Sequence, residues 1–223
     1  MEHPLNIFSF LPHEIQAKYI HVLMTCVVVL ITLLFGSIAS KMKSEVPTKG
    51  QNFFELLVTG IYKMAIDIMG EEGRPYVPLI FAIGIYVFFS NILGLIPGFV
   101  APTSNLNTTV APAIIVFFTY NYIGFKKHGV GYIKHFMGPM LALAPLMIII
   151  ELIGHLSRPL SLSMRLFGNI FGEDLVIAIL FFLAPYLVPL PMFFIGLFTS
   201  ALQAYVFMML SMIYISGALE EAH

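Results

Sequence analysis

The sequence contains very little charge for its length. Of its 223 residues, 59% are hydrophobic and only 10% are Asp, Glu, Lys or Arg. A soluble domain of this length would have about a quarter of its residues charged, so the composition excludes an ordinary soluble fold. A chain this apolar fits a lipid bilayer, where lipid rather than water covers the apolar faces.

Four further absences exclude classes of function. The single cysteine, Cys26, lies in an apolar run and offers neither a disulfide nor a metal-binding pair. The sequence has no glycine-rich phosphate loop with its lysine, so we expect no nucleotide site. The net charge of -1 and the lack of a basic patch argue against nucleic acid as a partner. His3 and His13 have no clustered ligands near them, so we expect no metal and no other cofactor.

Long apolar runs predict membrane-spanning helices, each of which needs about 20 apolar residues. The first run is too long for a typical signal-peptide core and lacks a basic leader, so we expect it to be retained. A second stretch, 75–125, has no charged residue, and the segment IPGFVAPTSNLNTT breaks it into two helices. Within one integral membrane domain, 1–223, the predicted spans are 19–39, 76–96, 110–125, 138–184 and 191–217.

The predicted 138–184 helix is longer than a bilayer is thick, at about 1.5 Å of rise per residue. It must therefore tilt, bend or break, and Pro145 and Pro159 are the candidate bend sites. With the last helix it forms a long, strongly tilted antiparallel hairpin. The expected fold class is an all-α membrane protein with about five transmembrane helices and one interfacial helix.

The interfacial helix is predicted over 51–69 by its two-sided pattern. Apolar residues recur there at helical spacing, while Glu55, Thr59, Lys63 and Asp67 form the opposite stripe. Such a helix lies flat on a membrane surface or packs on other parts of the protein, and both can hold.

Basic residues predict the orientation of the spans, because cytoplasmic loops carry an excess of Lys and Arg. With five spans, only Lys18 falls on the side of the N-terminus, which is therefore predicted to lie outside, with the C-terminus in the cytoplasm. The basic residues on the predicted cytoplasmic side are Lys41, Lys43, Lys49, Lys63, Arg74, Lys126, Lys127 and Lys134.

The 138–184 helix carries an unusual charged stripe. Glu151, Arg158 and Arg165 are spaced seven apart, so they lie near one face of a helix. His155 and Asn169 lie near that face too. An ionised side chain at membrane depth is costly, with values for arginine from about 3 to over about 10 kcal/mol. Such groups persist where they pair, face water or do work.

Acids lie on both sides of Arg165: Glu151 before it, and Glu173 and Asp174 after it. Carboxylates and imidazoles accept and release protons. A guanidinium cannot relay a proton at physiological pH, but it can block one or hold a neighbouring acid ionised. The pattern suggests two proton paths separated by a barrier. Glu151 would serve the cytoplasmic side, and the other two acids would serve the outer side.

The last helix offers partners for this stripe. Gly196, Ser200 and Ala204 form a ridge of small residues that allows close helix approach. Thr199 and Gln203 place polar groups beside it, and Gln203 is expected near mid-membrane, where it could fix the position of Arg165.

Each of these residues also has a structural interpretation. Arg165 could have a purely structural role, and Arg158 could be structural, interfacial or snorkelling toward the cytoplasmic surface. His155 could be a packed or hydrogen-bonded residue, and Gln203 a helix–helix hydrogen bond.

The motif SLSMRLFGNIFGEDL, which contains Arg165, resembles the signature of subunit a of F-type ATP synthase, in a bacterial form. The segments LQAYVFMMLSMIYI, HPL, NFFELLV and NILGLIPG are similar to that family as well, so the resemblance covers nearly the whole chain. It implies a multi-pass subunit of the bacterial plasma membrane that has no catalytic site of its own. The implied partners are a ring of c subunits, b-type peripheral stalk subunits, the whole synthase complex and membrane lipid.

The resemblance also implies roles for residues. Arg165 matches the essential arginine that separates two aqueous half-channels and deprotonates the ring carboxylate. Some family members carry a histidine where this chain has Gly196, so here the outer path must use other groups or water. The remaining matches are Asn169 and Gln203 beside the arginine, Glu151 and Ser161 toward the cytoplasmic exit, and Asp174 in the outer half-channel. Asp174 lies about half a turn round the helix from Arg165 and Glu173 lies closer to its face, so either acid, or both, could serve.

Two other classes of function stay open on the sequence alone. A stand-alone proton-coupled secondary transporter would need a substrate site at mid-membrane, often between inverted repeats. No repeat relates the two halves of this chain. A structural membrane scaffold would leave the charges in the long helix unexplained.

Overall fold

The computed structural model describes residues 13–41, 49–96, 98–129, 132, 144–183 and 188–220. These residues contain six α-helices and no strand, and five helical stretches are long and apolar enough to cross a membrane. The prediction of an all-α membrane fold is therefore confirmed. The helices are α1 (His13–Lys41), α2 (Lys49–Met69), α3 (Val77–Gly94), α4 (Leu106–His128), α5 (Ala144–Leu183) and α6 (Leu190–Leu219).

The turn between α3 and α4 is shorter than the sequence predicts, since α4 begins at Leu106 rather than at 110. Asn105 is the reason, because its side chain accepts a hydrogen bond from the backbone N–H of Asn107 at 3.0 Å and caps the helix. At the other end, Gly129 has a φ of 56°, a backbone conformation that favours glycine and ends the helix.

The long helix α5 has 40 residues and continues through Pro159 without a break. Its length of roughly 60 Å is about twice the hydrocarbon thickness of a bilayer, so α5 must lie at a strong incline. The part of the predicted helix that covers 138–143 lies outside the described residues.

The core of the bundle lies where α3 packs on α6 and α4 packs on α5. Tyr120 of α4, Leu166 of α5 and Phe207 of α6 are each at most 1% exposed there. Met24 and Val28 of α1 pack in a smaller cluster with Leu93 of α3. More than half of the described side chains of α5 are exposed, and many of them are apolar and face outward.

The bundle has two ends, which we call the A end and the B end. At the A end α1 begins, α3 ends and α4 begins, and there the 102–104 turn contacts both α1 and α5. At the B end, the Lys127 ammonium pairs with the Glu72 carboxylate and donates to the Leu219 carbonyl at 2.7 Å. The Ser216 hydroxyl also donates to the Ile68 carbonyl at 2.9 Å, which ties α6 to α2.

The helix α2 uses its two halves differently. Ala65 and Met69, toward its C-terminal end, are buried in the main core. Phe53 and Leu56, toward its start, are 63% and 74% exposed. Both interpretations of the amphipathic pattern therefore have a counterpart, since one half packs on protein and the other presents apolar side chains that fit a membrane surface.

Candidate functional site

Arg165 lies on the outward face of α5, where its side chain is exposed. Leu162 and Leu166, on the adjoining face, are at most 1% exposed and hold the helix against the bundle. Within the part of the chain that the structure describes, no carboxylate pairs with the Arg165 guanidinium. Ser161 and Asn169 are exposed one turn before and one turn after it. A charged group in the middle of a membrane-spanning helix needs water or a counter-charge, and here that partner must come from outside the described residues.

The sequence suggested that Gln203 could fix the position of Arg165, but the structure gives the Gln203 side chain a different hydrogen-bond partner. The Asn169 side-chain amide donates to Gln203 Oε1 at 2.8 Å instead, and this bond joins α5 to α6. Gln203 is only 3% exposed, and its Nε2 has no partner among the described residues. The helix–helix interpretation of Gln203 therefore describes its contact, one helical turn beyond Arg165.

Glu173 turns toward α6. The Thr199 hydroxyl donates to its Oε2 at 2.9 Å, while its Oε1 is buried and has no partner in the described segments. Gly196 makes room for this carboxylate, because a Cβ atom there would overlap Glu173 and come within 2.6 Å of Leu95 Cδ2. Gly196 is thus the residue that leaves space for the Glu173 carboxylate.

Asp174 turns the other way, toward the turn between α3 and α4. Its half-buried carboxyl lies beside the Ser104 side chain. Eight and nine residues of helix separate the two acids from Arg165, so they project about 100° apart around α5. The geometry therefore keeps both acids as candidates, one facing α6 and the other facing the 102–104 turn.

A buried polar pair at the A end was not predicted from the sequence. The Thr103 hydroxyl donates to Asn91 Oδ1 at 2.8 Å, and both residues are at most 2% exposed. Asn91 could have indicated this pair, because it lies in the charge-free stretch 75–125, where a buried amide needs a hydrogen-bond partner.

Among the described residues, most of the buried polar atoms that lack a hydrogen-bond partner lie in the half of the bundle toward the A end. Buried polar groups in folded proteins almost always bind protein or ordered water, so this region is polar enough to hold water between helices. Among the described residues, these atoms are His21 Nδ1, Ser90 Oγ, Asn91 Nδ2, Glu173 Oε1, Ser200 Oγ and Gln203 Nε2.

The second arginine of the stripe has a different environment. The Arg158 guanidinium lies 5.6 Å from the ring centre of Tyr120 and 5.5 Å from that of Tyr214, so it contacts both α4 and α6. His155 is 5% exposed, and its Nδ1 lies 3.4 Å from the Tyr120 hydroxyl. Arg158 and His155 therefore lie in a packed aromatic cluster, which matches their structural interpretation.

Glu151 lies one turn closer to the B end than His155 and is half-buried. The charged and polar residues thus occur in order along α5, with an acid toward the B end, Arg165 exposed beyond the middle, and two acids toward the A end. These features define the class: a multi-pass α-helical membrane protein with one long, largely uncovered helix that carries ionisable groups.

A family model described as "ATP synthase A chain" matches residues 22–216, which is most of this sequence. The chain therefore belongs to the ATP synthase A chain family. It is 52% identical to "ATP synthase subunit a 1" of Pelobacter propionicus and 51% identical to "ATP synthase subunit a" of Geobacter sulfurreducens. It is also 52% identical to "ATP synthase subunit a" of Syntrophobacter fumaroxidans. In all three comparisons the match covers 100% of both chains.

Family membership has three consequences. The chain is a multi-pass membrane subunit, it works in a complex with other ATP synthase subunits, and it takes part in ATP synthesis and proton transport. Some of its exposed residues are therefore expected to contact other subunits of the complex.

Proposed function

We propose that this chain is the stator subunit of the membrane sector of a rotary F-type ATP synthase. It would carry protons through two aqueous half-channels to and from the carboxylates of a c-subunit ring. The observation that carries this proposal is Arg165, an exposed cation on a spanning helix that pairs with none of the described acids and has acids on both sides of it along α5.

Arg165 would act on a carboxylate that a neighbouring subunit brings to it. The described acids of this chain leave its guanidinium unpaired, so the site is complete only with a counter-charge from a partner. A fixed positive charge lowers the pKa of a facing acid and so removes its proton. The same charge repels a proton that would otherwise cross from one half-channel to the other.

The outer half-channel would lie at the A end, between α1, α3, α5 and α6. The buried unpartnered atoms of this region support a hydrated path, and Glu173 and Asp174 supply its protonatable groups. The Asn169–Gln203 hydrogen bond lies between these acids and Arg165, so it would shape the inner end of the path.

The inner half-channel would lie along the uncovered face of α5, between Arg165 and the B end. Glu151 supplies a protonatable group there, and the exposed Ser161 supplies a hydroxyl closer to Arg165. Arg158 would not act as a second barrier, because its charge is held against two tyrosine rings.

The B end would face the cytoplasm of a bacterial cell. Arg74, Lys126 and Lys127 lie at this end, in agreement with the excess of basic residues on cytoplasmic sides. The chain would contribute no catalytic residue, and the b-type peripheral stalk would hold it against the moving ring.

Purification in mild detergent tests the proposal. The chain should co-purify with a small oligomeric protein of two membrane helices that carries a carboxylate at membrane depth. Proton transport by the purified chain alone in liposomes would contradict the proposal and favour a stand-alone secondary transporter.

A further inference from the structure

The first helix brings a histidine to the A end. His21 is half-buried in α1, where its ring lies beside the Ala101 carbonyl. Its Nδ1 is buried and has no partner among the described residues, so Nε2 is the nitrogen that faces Ala101. The other two histidines whose side chains are described, His128 and His155, lie toward the B end.

The turn that His21 contacts also contacts an acid of α5. The Ala101 carbonyl accepts a hydrogen bond from the Ser104 hydroxyl at 2.9 Å. Ser104 in turn lies beside the carboxyl of Asp174. One short turn therefore links an imidazole on α1 with a carboxyl on α5.

Apolar packing keeps His21 directed into the bundle. Met24 and Val28 lie on the same face of α1, three and seven residues further on, and both are 0% exposed. They pack against Leu93 of α3. The face of α1 that carries His21 is therefore the face that contacts protein.

The surroundings of His21 are polar and carry few titratable groups. The Thr103 hydroxyl donates to Asn91 within the same turn region, and Asn91 Nδ2 is one of the buried atoms without a partner. Tyr86 from α3 and Asp174 from α5 are the titratable groups that the described neighbouring elements bring toward this region.

We propose that His21 is a proton-collecting group of the outer half-channel and feeds Asp174. Nδ1 takes a proton from water held between the helices at the A end, and the imidazolium then gives one proton from Nδ1 to water beside the 101–104 turn. That water passes a proton to the Asp174 carboxylate, and the imidazole returns to its neutral form. This inference rests on the proposed function, since it requires the outer path to lie at the A end.

The variant His21→Gln tests this role in membrane vesicles that make ATP from an imposed proton gradient. Glutamine keeps an N–H donor for the Ala101 carbonyl but cannot titrate, so it separates proton collection from support of the turn. At an acidic outer pH, where protons are abundant, the variant should match the wild type. As the outer pH is raised, its rate should fall at least about threefold below the wild-type rate, less than the roughly 10²-fold of a proton-transfer group that water cannot replace.

Two control variants separate failure of this inference from failure of the proposed function. His128→Gln changes a histidine at the B end and should keep the wild-type pH profile. The double variant Glu173→Gln with Asp174→Asn should be slow at every pH. An unchanged profile in His21→Gln beside a slow double variant would overturn the role of His21 alone, whereas a fast double variant would overturn the outer path itself.

Cysteine labelling gives a second measurement that does not depend on turnover. In a background in which Cys26 is replaced by serine, a cysteine at position 21 should react with a membrane-impermeant thiol reagent added on the outer side. The thiolate that reacts forms in contact with water. A cysteine at position 28, where the native valine is fully buried, should stay unlabelled. Lack of labelling at position 21 in assembled complex would contradict the proposal.

Discussion

Arg158 and Arg165 carry the same charge in different surroundings. Arg158 lies against the rings of Tyr120 and Tyr214, so its charge is engaged within the chain. Arg165 is exposed and unpaired among the described residues, so its charge acts on what approaches from outside. The proposed barrier role of Arg165 rests on this difference in environment more than on position along α5.

At the same scale, the two outer acids should share the uptake of protons. Replacing both, as Glu173→Gln with Asp174→Asn, should slow gradient-driven ATP synthesis by at least about tenfold, because a positioned proton-transfer group contributes roughly 10²-fold or more. The amount of assembled complex should stay unchanged. Proton flux in inverted vesicles measures the effect, and normal flux in the double variant would show that other groups form the outer path.

Gly196 should be required for the position of Glu173. In Gly196→Ala the added Cβ overlaps the Glu173 carboxylate and contacts Leu95, so the acid must move away from Thr199. Synthesis should fall about tenfold, since a misplacement of about 1 Å at a reacting group can cost up to roughly 10²-fold. Gly217→Ala is the matched control on the same helix, because a Cβ at Gly217 meets no atom within 4 Å. Equal rates in both variants would rule out this packing role.

The residue types of the site were predictable from the sequence, but most of their contacts were not. Charged residues are rare in this chain, so the sequence alone indicates Arg165 and its flanking acids as candidate site residues. The Asn169–Gln203 bond and the space that Gly196 leaves for Glu173 depend on the register of α5 against α6. That register is a result of tertiary packing, and helical spacing within one segment does not contain it.

At the scale of elements, α5 combines two surfaces. Its inner face packs through Leu162, Leu166 and Ile170, while the face that carries Arg165 is uncovered. The spacing of seven placed Glu151, Arg158 and Arg165 on one side of this helix, and all three lie on α5. It did not show that the long Arg158 side chain reaches sideways between rings of α4 and α6, because those rings come from distant parts of the sequence.

The Arg158 contacts should stabilise the bundle without controlling coupling. Arg158→Ala should lower the stability of the assembled membrane sector by roughly 1–2 kcal/mol, the sum of two cation–π contacts. Tyr214→Phe should keep that stability, because phenylalanine retains a ring face, and Tyr214→Leu should lose part of it. Thermal unfolding of the purified complex measures these effects. A stable Arg158→Ala complex would show that the ring contacts contribute little.

Helix ends were the least predictable feature of the elements. The spans followed from apolar runs, but Asn105 moved the start of α4 to Leu106 by capping it. A capping asparagine in the segment PTSNLNTT is one of several polar residues that could begin the helix, so composition alone did not select it.

The whole molecule is asymmetric between its ends. The A end holds most of the buried polar atoms that lack a partner in the described chain, with acids beside them. The B end holds ties between elements, such as the Lys127–Glu72 ion pair and the Ser216–Ile68 hydrogen bond. A polar A end and a B end with several contacts between helices fit the proposed function. In that function, protons enter the bundle at the A end and leave along the exposed face of α5 toward the B end.

The proposed inner path predicts a defect in proton release. Glu151→Gln should slow gradient-driven synthesis, because the amide cannot take up and release protons, and Glu151→Asp should slow it less. Synthesis rates in vesicles over a range of cytoplasmic-side pH measure the effect. Glu55→Gln, which changes an acid on α2 that bonds Gln51, is the control and should behave as the wild type. Normal rates in Glu151→Gln at every pH would exclude this residue from the path.

The central claim, that Arg165 is the barrier between two half-channels, is tested most directly by measuring ATP synthesis and passive proton leak in the same vesicles. Arg165→Ala should abolish gradient-driven synthesis while leak through the membrane sector is retained or raised, because no fixed charge then separates the paths. Arg165→Lys should also lose most synthesis, since an ammonium lacks the rigid fork and can lose its proton when buried. Arg158→Ala should keep substantial coupled synthesis. Coupled synthesis that survives in Arg165→Ala, or a larger defect in Arg158→Ala at equal assembly, would contradict the account.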